Sequence, residues 1–188
     1  QGDEVSVIFM TDGVSSRDNS CAAHESNRQN AMTHALKALG VTQFHCFDFP
    51  DNQMDTVPLL SVAKAIETMI AKYNPSIIYS HFANDLNIDH RITHQGVMTA
   101  CRPIKGSTIK KILSFEVLSS TEWQSVNTAN FQAHYLVDIS QFWQQKQQAL
   151  LCYQEELREF PHSRSLECIE ALASYRGASH GFNKAEAF

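Results

Sequence analysis

Apolar positions in this chain fall in two patterns, short dense runs and longer stretches with one apolar stripe. Val5–Met10 is a run rich in β-branched residues closed by Thr11-Asp12-Gly13, which predicts a buried strand ending in a tight turn. From Ser20 to Leu39 the period becomes helical, with Ala31, Ala35, Leu36 and Leu39 on one stripe and Gly40 as the stop. Phe44–Phe49 reads as a second strand, closed by the turn signature Pro50-Asp51-Asn52. Leu59–Tyr73 repeats the helical stripe with Leu59, Val62, Ala63, Ile66 and Ile70, and Asn74-Pro75 ends it. Ser76–Ser80 predicts a third buried strand, followed by a polar loop and a helix from Asp89 to Cys101. Ile109–Leu118 and Tyr135–Ile139 read as further strands. A long helix capped by Ser140 and reaching Phe160 comes next, and a last helix runs from Ser165 to Gly177.

Strands alternating with helices of this length imply right-handed βαβ crossovers and a largely parallel sheet with helices on both faces, to which a C-terminal antiparallel strand can be added. In such sheets ligands bind beyond the carboxyl ends of the strands. That rule nominates the loops Thr11–Asn19, Pro50–Asp55 and Ser80–Asn87, all rich in Asp, Asn, Ser or His. None carries a glycine-rich dinucleotide fingerprint or a P-loop.

The size, 188 residues, fits one domain with a sizeable core. With 15 Lys and Arg against 20 Asp and Glu, the chain lacks the basic excess that grips a phosphate backbone, so nucleic acid is not an expected partner. No apolar run is long enough to span a bilayer, and Gln1-Gly2-Asp3-Glu4 is the reverse of a signal-peptide start, so a cytoplasmic location is expected. Five scattered cysteines without a C-x-x-C pair argue against a disulfide framework or a zinc ribbon.

The densest chemistry lies between His81 and His94, which holds three histidines and two carboxylates, Asp85 and Asp89. His90 and His94 are four residues apart on a helix and so share a face, where they could converge on one metal ion. Asp89 and Asp85 could ligate, orient an imidazole or act as bases. The plainer alternative is that His90 caps the helix, Asp89 complements its dipole and His94 is exposed. Spacing alone leaves both readings standing.

Asp85-Leu86-Asn87-Ile88-Asp89-His90-Arg91, placed after a strand ending in Ser80-His81, resembles the second motif of the LmbE-like / PIG-L zinc de-N-acetylases. The order of further segments fits as well. Gly2-Asp3-Glu4-Val5 runs into Thr11-Asp12-Gly13, a helix ends in Leu39-Gly40-Val41, and Phe49-Pro50-Asp51-Asn52 comes after it. The tail from Arg158 to Ser165 and the ending Ala185–Phe188 resemble a bacterial branch of the family. The resemblance implies a Rossmann-like three-layer αβα fold over residues 1–188 and one zinc ion with His90 as a ligand. It further implies a small-molecule substrate, an N-acetylated amino sugar or sugar conjugate, and leaves room for a homo-oligomer.

In the family an H-x-D-H segment supplies an acid, a carboxylate and a zinc ligand in that order. Here Asn87 stands at the acid position and Asp89 at the carboxylate position. An amide can donate to an oxyanion but cannot deliver a proton, which leaves the acid role to His81, His94 or a bound water. The family's first motif, A-H-P-D-D-E, supplies the other zinc ligands and the base, and nothing in this sequence matches it. The expectation is therefore a domain that is N-terminally incomplete, lacks its first strand and is close to inactive on its own. Expected catalytic positions are Asp89, Asn87 and His81; expected substrate contacts are Asp12, Gly13, Arg17 and Asp85. The rival reading is a non-catalytic carbohydrate- or nucleotide-binding α/β module.

Overall fold

The computed structural model describes residues 2–16 and 22–188. The chain folds as two compact units, Gln1–Asp51 with His134–Ala187, and Asn52–Ala133 with Phe188.

The first unit opens with β1 (Ser6–Thr11), α1 (Ala22–Ala38) and β2 (Gln43–Phe49), with β1 and β2 parallel from Ser6↔Gln43 to Thr11↔Phe49. α1 ends as its sequence dictates. Gly40 takes a positive φ of 72°, and Val41 N–H reaches back to the Leu36 carbonyl at 2.9 Å, closing the last turn. Ala35 and Leu36, from the predicted stripe, are buried. The same unit contains β5 (Leu136–Asp138), α4 (Trp143–Leu151), α5 (Leu166–Ala178) and β6 (Ala185–Ala187), with β5 and β6 antiparallel. α4 packs on α1, where Gln145 Nε2 donates to the Ala38 carbonyl at 2.8 Å. The Ser165 side chain caps α5 by accepting from Cys168 N–H at 3.1 Å.

The expected long helix from Ser140 to Phe160 is not formed. Ser140–Phe142 is a 3₁₀ turn, in which Ser140 N–H and its hydroxyl donate to Asp138 Oδ1 at 2.9 and 2.5 Å, so Ser140 is not the α4 cap. α4 ends at Leu151 because tertiary partners claim the residues just beyond it. Tyr153 lies 4.7 Å beneath the Arg28 guanidinium, and Glu156 sits between Arg28 at 3.5 Å and Arg164 at 3.1 Å. Such contacts outweigh helical periodicity.

The second unit contains α2 (Leu59–Tyr73), β3 (Ile77–His81), α3 (Ile88–Ala100) and β4 (Lys111–Phe115). β3 and β4 are parallel from Ile77↔Lys111 to His81↔Phe115, so β4 is shorter than the expected Ile109–Leu118. α2 and α3 pack face to face through Val62, Ala63, Ile66, Met69 and Val97. Gly96 is the point of closest approach, where a Cβ would stand 2.8 Å from Val62 Cγ1. Among the described residues the strands pair as three two-stranded sheets, two parallel and one antiparallel. No helix is long and apolar enough to cross a membrane among the described residues.

Candidate active site

In the second unit, β3 delivers His81 at its carboxyl end, and α3 begins seven residues later. Asn87 is the helix cap. Its Oδ1 accepts from Asp89 N–H at 2.8 Å and His90 N–H at 3.4 Å, and its Nδ2 donates to Asn52 Oδ1 at 3.1 Å. Asn87 was expected as a hydrogen-bond donor to the reacting group. The structure gives its carbonyl to the helix and one amide hydrogen to Asn52.

Asp89, in the first turn, complements the positive end of the helix. Its carboxylate accepts from Asn52 N–H at 2.6 Å and Met54 N–H at 3.0 Å, and the side chain is buried. It thereby fixes the 52–54 segment against α3.

Asp85 is fully buried. Oδ2 accepts from the Thr121 hydroxyl at 2.7 Å, while Oδ1 accepts from Asn87 N–H at 3.0 Å and from the Ser120 hydroxyl. His90 Nδ1 lies 3.1 Å from the same Oδ1. Burial alone would raise the Asp85 carboxyl. The hydrogen bonds from His90, Ser120, Thr121 and Asn87 outweigh it and hold the group at about 2. Asp85 is enclosed by these partners. It orients His90.

His90 is held on a second side by His81, whose ring stacks on it with centroids 4.0 Å apart and planes 15° from parallel. Phe115 closes the far side of His81 at 4.9 Å. Burial, with His90 beside it, pushes the His81 imidazole down to about 3 against the pull of Asp85, so His81 is neutral. His94, one turn beyond His90, donates Nδ1–H to the His81 carbonyl at 2.9 Å. In the helical pair each Nδ1 is turned to a neighbour, that of His90 to Asp85 and that of His94 to the backbone of β3.

The remaining expected residues belong to the first unit. Asp12 Oδ1 accepts from Val14 and Ser15 N–H at 2.9 and 3.0 Å, which is an Asx turn. Burial raises the Asp12 carboxyl, but these bonds and Arg28 leave it below the ordinary value. Gly13, at φ 71°, leaves room for Arg28, since a Cβ there would stand 3.2 Å from Nη2. Arg17 lies outside the described residues. Asp51 lies in the turn that the sequence predicts, is buried, and accepts from the Thr11 hydroxyl at 3.3 Å and the Ser16 hydroxyl at 2.5 Å. It ties the loop after β1 to the end of β2. The Phe49-Pro50-Asp51 sequence marked the turn, but no local pattern showed that the carboxylate would reach forty residues back.

Chemically, the second unit presents one imidazole with Nδ1 3.1 Å from a buried carboxylate, the kind of pairing that orients a metal-bound or proton-transferring histidine. Among the described residues no group of three or more His, Cys, Asp or Glu side chains is placed to hold a metal ion. A catalytic zinc takes about three protein ligands, so the described donors do not fit a complete zinc site.

The chain matches the family model for PIG-L, GlcNAc-PI de-N-acetylase, over residues 1–101, more than half its length, and it belongs to that family. Among solved structures, N,N'-diacetylchitobiose deacetylase from Pyrococcus horikoshii is similar with a TM-score of 0.73 at 18% identity, over 98% of this chain and 72% of that one. A deacetylase of the teicoplanin biosynthesis pathway gives 0.74 at 16%, over 99% and 86%. GalB, the 4-carboxy-2-hydroxymuconate hydratase from Pseudomonas putida KT2440, gives 0.72 at 16%, over 97% and 81%. These likenesses establish the Rossmann-like α/β fold, and the hydratase among them shows that this fold hosts more than one reaction. No curated protein matches the sequence.

Proposed function

We propose that this chain is a de-N-acetylase domain that hydrolyses the acetamide of an N-acetylated amino sugar or sugar conjugate of the N-acetylglucosamine type, releasing acetate and a free amine. The observation that carries the reading is the held imidazole of His90, with Nδ1 on the buried Asp85 and one ring face on His81, within a chain of the PIG-L family. The reading takes residues 1–188 as one domain, with a location in the cytoplasm.

With Nδ1 directed at a carboxylate, Nε2 is the atom left to act on a ligand, a proton or a metal. His81 is neutral and enclosed, so its part is to fix the plane of His90. Asp89 and Asn87 set the start of α3 and thereby the height of His90 over the strand end. Zinc would supply Lewis-acid polarisation of the acetamide in this family, but the described donors do not complete its site. The same incompleteness leads us to propose that the 188-residue chain alone holds zinc weakly and turns over slowly.

A second reading is favoured by Asn87, whose capping role leaves the family's acid position without a proton donor: a carbohydrate-binding module that does no chemistry. Acetate appearance by proton NMR, over a panel of N-acetylglucosamine conjugates, separates the two. Slow release above the uncatalysed rate supports the deacetylase. Saturable binding of a conjugate with no acetate released establishes the binder.

A further inference from the structure

From His90 to Phe115 the sequence carries Arg91, Arg102, Lys105, Lys110 and Lys111 and not one Asp or Glu, in a chain whose net charge is −5. Arg91 is turned inward, donating to the carbonyls of Asp85 and Leu86 at 2.7 and 2.6 Å. The other four are exposed and lie in or beside the loop that joins α3 to β4. Arg102, Lys105 and Lys110 pair with no carboxylate among the described residues. Ordinary protein surfaces intersperse the two signs, so an unmixed basic run is an anomaly that calls for a partner.

The loop is a built turn. Thr108 Oγ1 donates to the Pro75 carbonyl at 3.0 Å and Lys110 N–H to the Ser76 carbonyl at 2.8 Å, which clamps it to the junction of α2 and β3. Within it, Ser107 N–H donates to the Ile104 carbonyl at 3.1 Å. This holds Ile104 out into solvent, 71% exposed, between Arg102 and Lys105. Lys72, exposed in the last turn of α2 two residues before that junction, adds a fifth cation and sits 4.8 Å over the Tyr73 ring.

An exposed isoleucine flanked along the loop by exposed cations fits one kind of surface, a bilayer face carrying anionic headgroups. A nucleic-acid backbone would satisfy the cations but offers nothing to an isoleucine held at their centre. We propose that the loop between α3 and β4 is a peripheral docking surface for membranes rich in anionic phospholipid, with Arg102, Lys105 and Lys110 on headgroups and Ile104 among the upper acyl carbons. The surface lies at the end of α3 opposite His90, about 15 Å away along the helix at 1.5 Å per residue. A docked molecule therefore keeps the His90 end of that helix clear of the bilayer. The proposal does not depend on the deacetylase reading.

Flotation of the 188-residue protein with vesicles of phosphatidylcholine alone, or with about a third phosphatidylglycerol, tests it. Binding is expected to the anionic vesicles only, and to be lost at high salt. Each cation at such a surface contributes about five-fold to partitioning, so Lys105→Ala/Lys110→Ala lowers it about 25-fold. Ile104→Ser weakens binding several-fold in a manner that salt does not erase. Both variants change exposed side chains, and matching circular dichroism and melting curves confirm that they fold. Absence of wild-type protein from anionic vesicles, or full retention by the double variant, overturns the proposal. So does equal displacement of the protein from vesicles by duplex DNA at equivalent phosphate, which would make the patch a general polyanion site.

Discussion

Replacing Asp85 with Asn keeps the shape of the side chain and removes its charge, which tests whether this carboxylate organises the His90 site. The native group is fully buried and accepts from Thr121, Ser120 and Asn87 N–H, with His90 Nδ1 3.1 Å away. The least costly amide orientation keeps an oxygen at Oδ1 and points NH2 at Thr121. The Thr121 hydroxyl already accepts from Val117 N–H at 2.7 Å, so it could accept again, but its own hydrogen would lose its acceptor. One orphaned buried donor costs about 1–3 kcal/mol, and loss of charge assistance at the remaining bonds adds about 1 kcal/mol. Linkage gives a similar figure: a carboxyl moved from 3.8 to about 2 contributes roughly 2 kcal/mol of stability to the ionised folded state. We therefore expect Asp85→Asn to lower unfolding free energy by about 2–4 kcal/mol. The measurement is urea unfolding followed by fluorescence, with the m-value checked for constancy. Because the folded pKa is depressed, this stability is present above the ordinary carboxylate value and is lost as pH falls from about 4 toward 2. The variant should lack that acid limb. A loss below about 1 kcal/mol at neutral pH, or an unchanged acid limb, would refute the assigned network.

Single contacts give three further outcomes. Gly96→Ala places a Cβ 2.8 Å from Val62 Cγ1 and 3.0 Å from Ile66 Cδ1, and should destabilise by about 1–3 kcal/mol, with Val62→Ala recovering part of the loss in a double-variant cycle. Gly177→Ala meets the Phe182 carbonyl oxygen at 2.8 Å and Lys184 N at 2.9 Å, and since these are backbone atoms no neighbouring truncation should rescue its melting temperature. Asn87→Ala removes the α3 cap and should cost about 1 kcal/mol in thermal or urea unfolding, whereas Asn87→Ser should retain most of it.

Element types were legible wherever the hydrophobic period was long and ended by a clear stop. α2 matches its predicted span residue for residue, because Pro58 and Asn74-Pro75 bracket one apolar stripe. The Ser165 cap and the Gly40 stop were likewise readable, since each rests on a local hydrogen bond. The helix predicted as far as Phe160 failed for the opposite reason: what ends α4 is Arg28, more than a hundred residues earlier, seated on Tyr153 and Glu156. The site shows the same division. The sequence nominated the fourteen residues from His81 to His94, but how each is used depends on which way its side chain turns. Asp85 and Asp89 carry equal signal as letters, yet one faces His90 and the other the backbone of Asn52 and Met54. Asp51 was legible only as part of a turn in a nominated loop, because its partners Thr11 and Ser16 are brought to it by the β1–β2 pairing.

The central claim is that His90, held by Asp85 and His81, is the working imidazole of an N-acetyl hydrolase. Its most direct test compares acetate release from N-acetylglucosamine conjugates by the wild-type protein and by His90→Ala, with zinc supplied in excess and folding verified. The account predicts slow release by the wild type and a fall of at least about 10²-fold in the variant, toward the uncatalysed rate. Release that survives the loss of His90 unchanged would contradict it.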